Sequence, residues 1–138
     1  MNFDPGLTIE QALTHKEMFT LFQCSNAGGI RPSSFTRTVV IIAYYTNKLY
    51  NDRWENGILH YTGMGKSGDQ DFQWAHNATL AGYRNQAYEW HLFEVYKPNQ
   101  YVYRGKVKLA YSPYKEIQPD KDGMPRKVCM FPLKLISD

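Results

Sequence analysis

Residues 50–63 read YNDRWENGILHYTG. The first part is polar, and Asn47 to Gly57 has the composition of a loop. Ile58-Leu59-His60-Tyr61-Thr62 then has the β-branched and aromatic content of a short strand. Gly63-Met64-Gly65-Lys66-Ser67-Gly68-Asp69 follows as a glycine-rich loop. A loop, a strand and a second loop therefore bring two tyrosines, Tyr50 and Tyr61, to either side of one acid, Asp52.

Outward from this stretch the chain alternates helix and strand signals. Upstream, Thr38 to Tyr45 (TVVIIAYY) is an unbroken β-branched and aromatic run, expected to be a buried strand. Residues 8–22 have apolar positions at helical spacing (Ile9, Leu13, Phe22), with Thr8 as the expected N-cap. Ser25 to Gly29 should end that helix, and Pro32-Ser33-Ser34 should continue the loop. Downstream, Phe72 to Tyr83 reads as helical. Trp90 to Tyr96 and Tyr101 to Ala110 alternate as strands, the latter with basic residues on one face. Residues 111–125 carry Pro113, Pro119, Gly123 and Pro125 and read as a long loop or β-excursion. Val128 to Leu135 closes the chain as a strand, with Pro132 marking an edge or bulge. The expected class is α+β, a curved sheet or open barrel with flanking helices.

The 138 residues fit one domain, with room for one core but not for a separate nuclease. Tyrosine leads the aromatic content with 11 residues, which suits surfaces that stack on flat ligands. The net charge of +3 is uneven. Residues 97–134 hold nine Lys/Arg against three acids, whereas residues 1–96 hold seven against nine. A basic second half points to an anionic partner such as a phosphate backbone. Cys24 and Cys129 leave a disulfide open without suggesting a secreted scaffold. Met1 to Gly6 lacks the basic start and apolar stretch of a signal peptide, and no apolar run is long enough for a membrane span. The expected location is cytoplasmic.

Catalytic and cofactor signatures are missing from the sequence. The GMGKSGD loop matches neither G-x-x-x-x-G-K-[ST] nor G-x-G-x-x-G, so nucleotide hydrolysis is not expected. His15, His60, His76 and His91 have no zinc-site spacing. His76-Asn77 shares two residues with an HNH nuclease motif, but the second metal-binding histidine does not follow. Asp120-Lys121-Asp122-Gly123 reads as a solvated turn. The expectation is a binding domain, without a metal or cofactor.

The Tyr–Asp–Tyr trio fits one kind of ligand. A nucleobase swung out of a duplex needs two flat surfaces in place of its lost stacking, and a partner for its Watson–Crick edge. Cytosine presents an exocyclic N4–H₂ donor, for which a carboxylate is the natural acceptor.

At these residues the sequence resembles the SRA domain family. The resemblance rests on Tyr50, Asp52 and Tyr61-Thr62-Gly63, then on Gly63-Met64-Gly65 and Gly68-Asp69-Gln70, and on the segment with Asn77 and Leu80. It continues through HLFEVY, YVYRGKVKLA and the closing FPLKL, and spans about residues 28–135. The blocks YNDRWENGILHYTGMGKSGDQDF and YRGKVKLA are similar to SRA-like readers fused to HNH nucleases in bacterial modification-dependent restriction enzymes. The resemblance implies a PUA-like fold, duplex DNA as partner, and extrusion of 5-methylcytosine or 5-hydroxymethylcytosine into a pocket. It implies that Tyr50 and Tyr61 sandwich the base, that Asp52 accepts from N4–H₂, and that Thr62 and Gly63 hold the pyrimidine edge or a phosphate. Trp54 is either a pocket wall or a core residue. The loop after Gly63 is shorter than in eukaryotic SRA domains and lacks their long basic finger. Arg31, Phe35 and Lys66 are therefore the candidates for filling the duplex gap, with Arg37, Lys106 and Lys108 as backbone contacts. The other reading is a PUA-like module for a different modified DNA or RNA. Oligomeric state is not encoded in any motif of the chain.

Overall fold

The computed structural model describes residues 2–46 and 49–136. Among the described residues nine strands form one sheet, with two short helices beside it. The strands are β1 (Ala12–Leu13), β2 (Ile30–Ser33), β3 (Thr38–Tyr44), β4 (Arg53–Glu55), β5 (Ile58–Thr62), β6 (Glu89–Lys97), β7 (Gln100–Leu109), β8 (Tyr114–Pro119) and β9 (Pro125–Leu135). The helices are α1 (His15–Phe22) and α2 (Asn77–Leu80). Pairing runs β2-β3-β6-β7-β9-β5-β4, with β1 on β7 and β8 on β9. The path does not close on itself, so the sheet is open. The fold is mostly β, and the flanking helices are shorter than the sequence led us to expect.

Strand β3 explains its own composition. Val39, Ile41 and Ala43 point into one core with Leu59, Tyr61, Leu92 and Phe131. Val40 and Ile42 point into a second core with Met18, Phe22, Phe93 and Tyr103. A strand covered on both faces loses the alternation of a half-exposed one and reads as a continuous apolar run. It pairs parallel with β6, from Thr38↔Glu89 to Tyr44↔Val95. The crossover between them carries β4, β5, α2 and the loops of the site.

Several local expectations are corrected. The first helix starts at His15, not at residue 8. Its N-cap is Thr14, whose side chain takes the Glu17 N–H while Glu17 returns to the Thr14 N–H, a capping box. Residues 12–13 instead pair with Val102 and Tyr101. Residues 30–33 form β2 rather than a loop, because their register with β3 buries Ile30 and Ser33. Within 47–57, Arg53–Glu55 pairs with Ile58–His60 through an Asn56-Gly57 turn in which both residues have positive φ. Of residues 72–83 only α2 is helical. The proline-rich segment contains β8, which forms a hairpin with β9. Pro132 sits where β9 passes from β8 (Tyr114↔Met130) to β7 (Leu109↔Leu133), so its missing N–H falls at the changeover.

Cys24 and Cys129 are free thiols. Among the described residues no helix is long and apolar enough to cross a membrane, and no group of three His, Cys, Asp or Glu side chains is placed to hold a metal.

Candidate functional site

A cleft of about 960 Å³ opens where four segments meet: Gly28-Gly29 before β2, the end of β3 (Ile42, Tyr44), the end of β5 (Tyr61, Thr62), and the loop from Gly63 to Asp71. Tyr50 and Asp52, from the loop ahead of β4, complete the wall, and Trp74 lies at the margin with half of its surface exposed. The size is in the range of small-molecule sites.

Asp52 is held from behind. One carboxylate oxygen, Oδ1, accepts the Thr62 N–H at 2.7 Å. A carboxylate has about four lone-pair positions, so hydrogen bonds from the Thr62 backbone and side chain leave capacity for a ligand. Burial pushes its pKa up to about 7, against the pull of the Thr62 hydrogen bond. Tyr61 is 4% exposed, and its hydroxyl donates to the Ile42 carbonyl at 2.9 Å and lies 3.1 Å from that of Gly29. Burial, followed by the charge of Asp52, raises its pKa well above the ordinary phenol value. Tyr50 is half-buried, and its hydroxyl donates to the Gly65 carbonyl at 3.3 Å. Burial raises its pKa also. One phenol is thus fixed by the core and the other by the glycine loop, with the acid nearby.

Two close approaches account for glycines here. A Cβ on Gly29 would lie 2.6 Å from the Tyr61 hydroxyl, and one on Gly63 would lie 2.7 Å from Asn77 Oδ1. Asn77 is fully buried and clamps the loop, accepting the Met64 N–H (2.7 Å) and donating to the Met64 carbonyl (3.0 Å). Gln70 does the same from the other side. It donates to the carbonyls of Gly63 (2.8 Å) and Gly65 (3.1 Å), and accepts the N–H of Cys129 in β9 (2.9 Å). Arg126 donates to the carbonyls of Gly65 and Gly68, and Lys115 to that of Gln70. These supports were not identified from the sequence. Their signal, buried amides that serve a loop backbone, exists only once the loop is folded.

Not every candidate residue reaches the cleft. Trp54 does not line it. Its indole N–H donates at 2.8 Å to Glu94, a fully buried acid that also takes the Tyr45 hydroxyl and pairs with Arg104 at 3.2 Å. Trp54 is therefore a half-buried residue packed against the core. Arg31 is 1% exposed and cannot enter a duplex. Its guanidinium donates to the carbonyls of Gly28 (2.7 Å) and Ser25 (2.9 Å) and to the Tyr44 hydroxyl (3.0 Å), and touches His15 Nε2. It fixes the loop that forms one cleft wall. Phe35 is 79% exposed, but it sits in the β2–β3 turn, roughly 20 Å of strand away from Tyr44 at about 3.3 Å per residue. Arg37, in the same turn, lies over the Tyr88 ring. Lys106 pairs with Glu89 at 3.0 Å, and Lys108 follows it on the β7 face opposite Val107. Both belong to a smaller depression with Tyr88 and Trp90. Of the candidate cations only Lys66 lines the cleft.

Residues 10–138 match the family model described as "ScoMcrA-like, SRA domain". The chain belongs to this SRA domain family. SRA domains bind modified DNA. Among curated proteins, none matches the sequence. Solved SRA structures share its fold. The sulfur binding and SRA domains of ScoMcrA, complexed with phosphorothioated DNA, match at TM-score 0.74 and 14% identity, over 96% of this chain and 40% of that one. The SUVH5 SRA domain with hemi-methylated CG DNA matches at TM-score 0.72 and 22% identity, over 100% and 94%. The modification-dependent restriction endonuclease AspBHI matches at TM-score 0.66 and 14% identity, over 88% and 38%. This SRA domain thus spans less than half of the two restriction proteins it matches.

Proposed function

We propose that this SRA domain binds double-stranded DNA, draws a modified cytosine out of the stack and seats it in the Tyr50–Asp52–Tyr61 cleft. One observation carries the reading: both phenols and the acid line a single cavity. The two rings replace the stacking lost on extrusion, and base–aromatic stacking is worth about 1–3 kcal/mol per base. Asp52 accepts from the N4–H₂ group. Thr62 and Gly63 meet the pyrimidine edge, and the apolar wall accommodates a methyl or hydroxymethyl at C5. Lys66 meets a phosphate at the rim. The chain performs no catalytic step in this reading. It targets a modification-dependent restriction endonuclease whose nuclease, of the HNH class, lies outside these residues.

Phosphorothioate is the second reading, because it is the modification in the ScoMcrA complex. The ScoMcrA complex contains a sulfur binding domain apart from its SRA domain. An acid inside the cleft also disfavours an anionic backbone group there. The deciding experiment compares duplexes with 5-methylcytosine, 5-hydroxymethylcytosine, unmodified cytosine or a phosphorothioate linkage at one salt concentration, since phosphate contacts make affinity salt-dependent. Tighter binding of the C5-modified duplexes is expected. Equal affinity for all four, or preference for phosphorothioate alone, overturns the proposal.

A further inference from the structure

Extruding a base leaves a gap in the duplex, and an apolar side chain can enter a duplex between base steps. Two of the candidates for that role are removed by the geometry above: Arg31 is buried beneath its own loop, and Phe35 lies at the far end of the β2–β3 hairpin. Of the three sequence candidates that leaves Lys66, a hydrated cation on the short glycine loop. A different element stands beside it. The β8–β9 turn meets the glycine loop along its length: the Lys121 N–H donates to the Lys66 carbonyl (3.3 Å), Arg126 to the carbonyls of Gly65 and Gly68, and the Lys127 N–H to Asp69 (2.8 Å). Lys66 and Asp69 both line the cleft, so the turn packs against a loop that forms one cleft wall.

The turn is built to hold its shape. Asp120 Oδ1 accepts the N–H groups of Asp122 (2.8 Å) and Met124 (2.9 Å), and the Asp120 N–H donates to the Met124 carbonyl (2.8 Å). Pro119 and Pro125 form the closing register pair. Out of this frame projects Met124, 62% exposed. It is an unbranched apolar side chain on a stiff mount, on a turn that also carries Lys121 and whose backbone bonds to that of Lys66. Apolar wedges of this kind, methionine included, slip between base steps. Rigid presentation lowers the ordering cost of doing so.

We propose that Met124 is the wedge that enters the duplex and occupies the position vacated by the extruded base. The inference rests on the base-extrusion reading of the cleft. Its test uses duplexes in which 5-methylcytosine or unmodified cytosine faces either guanine or a pyrene nucleotide. Pyrene fills the gap itself and pushes the opposite base out, so it substitutes for a wedge. The wild type should prefer 5-methylcytosine opposite guanine. Met124→Ala should lose about tenfold in affinity for that duplex, and regain most of it when pyrene replaces guanine. Its melting temperature should match the wild type, because the side chain is exposed. If Met124→Ala binds the guanine-paired duplex within about twofold of wild type, or loses equally on both duplexes, the wedge assignment fails while the cleft stands. If the wild type itself ignores the methyl group on every duplex, the cleft reading fails and the wedge goes with it.

Discussion

The Thr62 main-chain N–H stands 2.7 Å from Asp52 Oδ1, so the strand that presents Tyr61 also aims the acid. Asp52→Asn would keep its carbonyl oxygen on Thr62 and turn an N–H₂ group toward the ligand, donor against donor. Preference for modified over unmodified cytosine should disappear, with a loss of roughly 1–3 kcal/mol on the modified duplex. Parallel titrations of both duplexes by fluorescence anisotropy check this, and retained preference would remove Asp52 from the base pocket.

The same carboxyl gives a stability signature. Its folded-state pKa, about 7, lies above its ordinary value of 3.8. The native state therefore keeps a proton that the unfolded chain releases, and this group's contribution falls as pH rises from about 4 to 7. Asp52→Asn should gain on wild type across that window and level off above pH 7. About 1–3 kcal/mol is expected at pH 8, less than the full shift because the group faces an open cleft. Urea denaturation at pH 4.5, 6 and 8 checks the sign. Since the N4–H₂ donor favours the ionised acid, binding should also release a proton below pH 7, which calorimetry in two buffers of different ionisation enthalpy detects.

The two tyrosines should behave differently. Tyr50→Ala removes a half-buried ring and is expected to cost about 1–3 kcal/mol in binding with little change in melting. Tyr61→Phe keeps the ring but removes the hydroxyl that donates to the Ile42 carbonyl. It should cost about 1–2 kcal/mol in stability while preserving the base preference. Thermal melts paired with binding titrations separate the roles, and a Tyr61→Phe variant that melts normally but loses the preference would reverse them.

For the cations the contrast is positional. Lys66→Ala should weaken binding to every duplex and lower the salt slope by about one. Lys106→Ala should leave both unchanged, since that side chain pairs with Glu89 and does not line the cleft. Arg31→Ala should instead destabilise the domain by several kcal/mol, because it leaves the Gly28 and Ser25 carbonyls without their donor and takes one partner from the Tyr44 hydroxyl. Arg31→Lys should not restore it, as one ammonium cannot reproduce the fork. Salt-dependent titrations and melting curves of the three variants decide.

How far the sequence could be read depended on where each residue's partner lies. β3 was legible because burial on both faces leaves a plain apolar run. Thr14-x-x-Glu17 was there to be read, but helical spacing upstream drew the boundary to Thr8, where β1 pairing overrides it. Asn56-Gly57 is a hairpin signal that polar neighbours disguised as loop. Asp52 and Tyr61 emerged through family resemblance joined to the chemistry of cytosine. Charge alone does not reveal direction: Arg31 finds backbone acceptors inside, and Lys106 and Lys108 line a separate depression on β7. Gln70 and Asn77 act by reaching across a loop, which no local pattern encodes.

The contact between Gly29 and Tyr61 extends beyond this one chain. A single extra carbon at position 29 would collide with the phenol oxygen at 61, although the two positions lie far apart in sequence. Relatives that replace the tyrosine by a phenylalanine or a smaller side chain are free to carry alanine or serine at 29, whereas those that retain it are not. The pair should therefore change together across the family, and an exchange at 29 tolerated only in a Tyr61→Phe background would mark the two as one inherited unit.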